Sequence, residues 1–67
     1  MDTKQLEEAA LKEFAKAHRL EIDAPNTYPH VTSYSVKSYD VESREVWIQY
    51  FVNNGRTIEE RSVMYTI

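Results

Sequence analysis

Residue 30 divides this chain into two patterns, and that division limits the folds open to it more than any other feature. Before it, Leu6, Ala10, Phe14 and Ala17 recur at steps of four, four and three, with Leu11 at the stripe's edge, the spacing of a single buried helix face. After it, Val, Ile, Thr, Ser and Tyr dominate, residues that suit a pleated, half-buried surface. One helix must therefore serve one sheet.

The helix is expected over 2–18. Asp2 is suited to the N-cap, where its carboxylate accepts from first-turn N–H groups, and Gln5 stands at the capping-box spacing. Glu7 and Glu8 lie near the positive end of the helix dipole, Lys16, His18 and Arg19 near the negative end, and Glu8 and Lys12 are spaced for an i, i+4 ion pair. Pro25 and Pro29 flank Asn26-Thr27-Tyr28 and disfavour helix before them, so 23–29 is expected to be a loop. Leu20-Glu21-Ile22 is too short to separate a helical tail from an extended piece.

Three strands fit the remainder, over about 30–39, 45–52 and 57–66. The polar stretch 40–44 makes the first connection, and Asn54-Gly55 the second, as a two-residue hairpin turn. A one-residue slip would turn a whole strand over, so register has to be argued. Placing Tyr39 opposite Glu45 sets Ser38 against Val46, Val36 against Ile48 and Tyr34 against Tyr50, and gathers Tyr34, Val36, Val46, Ile48, Tyr50 and Val52 on one face. With the two-residue turn, Val46 faces Val63, and Tyr65 and Ile67 extend the same face. Glu59 and Arg61 also fall inward near the turn unless a bulge turns them out. The fold class expected is α+β: an N-terminal helix on a three-stranded antiparallel meander, αβββ in two layers, forming a single small domain over 1–67.

Composition narrows the function. The chain has 67 residues, no Cys, and 8 Lys+Arg against 11 Asp+Glu, a net charge of −3. Without cysteine there is no disulfide framework and no thiolate zinc site. Charges in every turn of the first twenty residues exclude a signal peptide, and no apolar run approaches the ~20 residues that span a bilayer, so a soluble, cytoplasmic protein is expected. The acidic balance speaks against a general nucleic-acid or anionic-membrane binder.

Catalytic chemistry has little to work with. His18 is expected to cap the helix or lie on the surface, His30 to sit at a loop edge, and neither stands in a motif. Glu7-Glu8 and Glu59-Glu60 are adjacent pairs whose members point to different faces, and the single Gly belongs to the hairpin turn. No catalytic residue, cofactor, metal ligand or small-molecule substrate is expected, and the chain is expected not to be an enzyme.

What remains is surface. Trp47, Phe51, Ile58 and Met64 fall opposite the helix, where one helix cannot cover them, with Gln49, Glu60, Ser62 and Lys37 around them. An apolar patch with a polar rim has the composition of a protein-contact site. The opposite register would instead expose Tyr34, Tyr50, Val46 and Ile48. The leading expectation is a non-enzymatic interaction module that docks onto a protein partner, or onto itself as a homodimer, through Trp47, Phe51, Ile58, Met64, Gln49 and Lys37. An inhibitor or accessory factor of the kind viruses, phages and other mobile elements encode would suit this size and charge. The competing expectations are a single-stranded nucleic-acid binder, with Lys37 and Arg44 as phosphate contacts, and a structural subunit of a homo-oligomer.

Overall fold

A computed structural model of the chain describes residues 2–24 and 26–67. The Pro25 part of the expected loop lies outside them. Helix α1 spans Thr3–Ala17, a short α2 Arg19–Asp23, and strands β1, β2 and β3 span His30–Asp40, Glu45–Asn53 and Ile58–Thr66. The strands form one antiparallel sheet in the order β1-β2-β3. This is the expected α+β meander. Among the described residues no helix is long and apolar enough to cross a membrane.

The start of α1 follows the sequence logic closely. Gln5 N–H donates to the Asp2 carboxylate at 2.8 Å and Asp2 N–H donates to the Gln5 side chain at 3.2 Å, so the box satisfies donors that a helix start leaves free. Leu6, Ala10 and Phe14 are buried. Ala17 is exposed, and the stripe continues in its place through His18, one further step of four, whose ring stacks on Phe14 with centroids 4.4 Å apart. Among the described residues the ion pairs are His18–Glu21, Arg19–Asp23 and Glu59–Arg61, and the expected Glu8–Lys12 pair does not form.

The Leu20-Ile22 segment is helical. Its N–H groups continue the chain of helical bonds past His18, with Ile22 N–H reaching His18 C=O at 3.0 Å, and Ile22 turns inward against the core. His30 ties this helix to β1, its ring lying 2.8 Å from the Glu21 carbonyl.

The helix lies on the face of β2 that carries Val46, Ile48, Tyr50 and Val52. These four are buried with Leu6, Ala10, Phe14 and Val31. Val36, Val63, Tyr65 and Ile67 pack around them, half-buried.

Register departs from expectation in two ways. Val36 faces Ile48 and Tyr34 faces Tyr50 as expected, but extra residues at Thr32 and Lys37 shift both ends of β1, so that Tyr39, not Ser38, faces Val46, and Asp40 faces Glu45. Each bulge leaves one residue unpaired and reverses which side the following residues face. The first brings Val31 into the core in place of Thr32, an exchange of a hydroxyl for an apolar side chain that favours the bulged strand.

The second departure is in the β2–β3 turn, which holds four residues, 54–57, rather than two. Asn53 faces Ile58, and the opposite number of Val46 is Tyr65, not Val63. Asn54 governs this geometry with its side chain: its Oδ1 accepts from Arg56 N–H at 3.0 Å and Thr57 N–H at 2.9 Å. Only Gly55 takes a positive φ in the turn, +96°, and the Tyr28 ring packs 3.3 Å from where its side chain would begin. The displacement is two residues, an even number, so every β3 side chain keeps its expected face. Glu59 and Arg61 accordingly stay on the helix side without a bulge, and remain exposed because no helix reaches them.

Candidate functional site

The surface that the fold leaves open is the outer face of the sheet. At ~1.5 Å per residue the 15 residues of α1 extend about 22 Å, whereas the 11 residues of β1 extend about 36 Å at ~3.3 Å each. One helix layer of this length covers much of one face and none of the other.

The structure brings most of the expected contact residues together there. Trp47 alternates with the buried Val46 and Ile48, points away from α1, and is 44% exposed. Its cross-strand neighbour on β3 is Met64, also exposed, and on the other side stands Ser38. Phe51 is half-buried on the same face between Ser33 and Glu60. Gln49 lies between Trp47 and Phe51 and donates to the Glu60 carboxylate across the strands. Ile58 is at the turn end of the face, 62% exposed. Lys37 is set apart, because it is the extra residue of the second β1 bulge rather than a member of the regular alternation.

Charge on this face is one-sided. Asp40, Glu45 and Glu60 share the outward alternation with Trp47 and Phe51, whereas Arg61 lies on the helix side, 2.7 Å from Glu59. Glu59 and Glu60 thus separate onto opposite faces as adjacent strand residues must. The Arg61 guanidinium is pushed above its usual pKa, first by its hydrogen bond to Glu59 and, against some desolvation, by the charges of Glu59 and Tyr50. It is a satisfied cation. Of the two expected phosphate contacts, Lys37 is the bulge residue and Arg44 is in the β1–β2 turn with φ 59°.

The helix side contains a second grouping that the sequence reading missed. Phe14, His18, Tyr34 and Tyr50 cluster with ring centroids 4.4 to 5.2 Å apart, and Glu21 holds the His18 ring at 3.1 Å. His18 therefore caps α1 through its backbone, as expected, and also closes the end of the core. The signal was its place four residues after Phe14. Neither histidine ring is bonded to a hydroxyl or amine nucleophile among the described residues; their partners are Glu21 in both cases, a carboxylate for His18 and a carbonyl for His30. No three potential metal ligands converge among the described residues. An open groove of about 420 Å³ between α1 and the end of β3 is lined by Ala9, Lys12, Glu13, Tyr65, Thr66 and Ile67. In it the Tyr65 pKa is raised by burial and by the negative charges of Tyr50 and Glu13.

No protein-family model matches this chain, and comparison with curated proteins and with solved structures yields no match.

Proposed function

We propose that this chain is a non-enzymatic protein-contact module, docking through the outer sheet face around Trp47 onto a partner with an apolar centre and a basic rim. The observation that carries the reading is the exposed Trp47–Met64 pair on a face whose surrounding charges are carboxylates. Tryptophan buries a large, rigid area with few rotamers to freeze and is enriched where interface energy concentrates, while the Asp40, Glu45 and Glu60 carboxylates favour a cationic rim opposite. The same carboxylates repel phosphates, which weighs against single-stranded nucleic acid as the ligand. An inhibitor or accessory factor acting in the cytoplasm, of the type mobile elements encode, would work in this way, by occupying a partner's surface.

The test compares capture from lysate of the source cells by wild type, Trp47→Ser and Glu60→Lys, with circular dichroism to establish that each is folded. A protein retained by wild type and lost by both folded variants supports the docking face. Retention of an oligonucleotide with a steep loss on adding salt would replace this reading with nucleic-acid binding.

A further inference from the structure

The two edge strands present their free backbones differently. β1 is broken by bulges at Thr32 and Lys37, which discourage a further strand from adding. β3 pairs with β2 over its whole length without a register break, contains neither Pro nor Gly, and among the described residues has no strand beyond it.

Which of its groups are free follows from the ends of the ladder. Ile67 N–H donates to Arg44 C=O at 2.9 Å, and Asn54 N–H to Thr57 C=O at 3.1 Å, both in line with the β2–β3 register. Hydrogen-bonded pairs recur at every second residue of an antiparallel ladder. Glu59, Arg61, Val63 and Tyr65 therefore bond to β2, and Ile58, Glu60, Ser62, Met64 and Thr66 direct their N–H and C=O groups outward.

We propose that β3 pairs with β3 of a second copy of this chain, antiparallel about a twofold axis at Ser62, joining two sheets into one of six strands. The position of the axis comes from the side chains. An axis at Glu60 or at Arg61 sets that charge against its own copy, which is destabilising. An axis at Val63 leaves Ile58 and Glu59 without a β3 residue opposite. An axis at Ser62 pairs all nine residues of Ile58–Thr66: Ile58 faces Thr66, Glu59 faces Tyr65, Glu60 faces Met64, Arg61 faces Val63, and two small hydroxyls meet at the centre. Arg61 enters the joint already neutralised by its own Glu59. Every outward-directed N–H and C=O of β3 finds a partner, in the self-complementary form a twofold contact requires. This goes beyond the docking face, which it leaves open and presents twice on one sheet.

Sedimentation equilibrium over a concentration series reads the proposal. Wild type is expected to be a concentration-dependent dimer. Ser62→Pro removes an N–H that β2 does not use, at an edge position where proline is tolerated, and is expected to be a folded monomer by circular dichroism. If it does not fold, Ser62→Lys decides: at an exposed site it places a charge against itself on the axis, and the dimer is expected to weaken several-fold and recover with added salt. Trp47→Ser is expected to dimerise as wild type does, so loss of docking and loss of dimerisation are separable. A wild type that stays monomeric at high micromolar concentration overturns the proposal, as does a dimer untouched by Ser62→Lys or abolished by Trp47→Ser.

Discussion

Val46 and Trp47 are neighbours in one strand, yet the smaller side chain is fully buried and the larger stands nearly half open. The same contrast runs along β2: Val46, Ile48, Tyr50 and Val52 are buried, while Trp47, Gln49 and Phe51 between them are not. The two faces differ in one respect, that α1 lies on the first. Burial in this chain follows the number of layers rather than the apolar character of individual residues, and with α1 on one face only, a two-sided apolar strand is left with an uncovered outer surface.

The largest effect expected is a test of that contrast by matched truncations. Phe14 is wholly buried and in contact with His18, Tyr34 and Tyr50, so Phe14→Ala should cost about 3–5 kcal/mol. A chain of this size has about 3–10 kcal/mol of stability in all, at ~0.05–0.15 kcal/mol per residue, so the variant should lose a large fraction of it. Trp47→Ala should cost about 1 kcal/mol or less, chiefly its cross-strand contact with Met64. Denaturant melts of both variants give the two numbers. Equal losses would mean that the outer face is as well packed as the inner one and is no docking surface.

Why the faces were legible from sequence while the register was not has a physical explanation. Face depends only on parity, and the pattern Val46, Ile48, Tyr50, Val52 states parity four times over. The turn error displaced β3 by two residues and left parity intact, so Met64 and Ile58 came out on the expected side despite the wrong partner for Val46. The bulges at Thr32 and Lys37 had no glycine to announce them. The first follows from a tertiary preference for Val31 over Thr32 in the core, which becomes visible once α1 is in place; for the second the structure offers no comparable exchange. α2 was equally hidden, because its cause is long-range: Ile22 on the core and the His30 ring at the Glu21 carbonyl. Of the expected contact residues, Lys37 alone stands outside the regular alternation of its strand, and for the same reason, since a bulge cannot be counted from alternation.

A moderate effect is expected at the turn that fixes how β3 presents those faces. Gly55→Ala forces a side chain into left-handed backbone at φ +96° and against the Tyr28 ring, which should cost about 1–2 kcal/mol. Asn54→Ala withdraws the acceptor of two backbone N–H groups and should cost about 1 kcal/mol. Thermal melts read both, and amide exchange on Val63 and Met64 shows whether the faces stay assigned. Variants as stable as wild type would mean that side-chain pairing, not the turn, holds β3 in place.

The smallest effect expected distinguishes the faces by pH. On the helix side, Tyr65 meets the groove beside Glu13, and burial, with the charges of Tyr50 and Glu13, raises its pKa above the ordinary tyrosine value. The folded chain therefore holds this proton at pH values where the unfolded chain has released it. Its contribution is fully present below the unfolded pKa of about 10 and declines as pH rises through the folded one, because the unfolded state then binds fewer protons. Melts of wild type and Tyr65→Phe between about pH 8 and 11 should diverge, with wild type losing more stability at the alkaline end, since phenylalanine has no proton to lose. Parallel curves would place the Tyr65 hydroxyl in water and shorten the covered face by one residue at the end of β3.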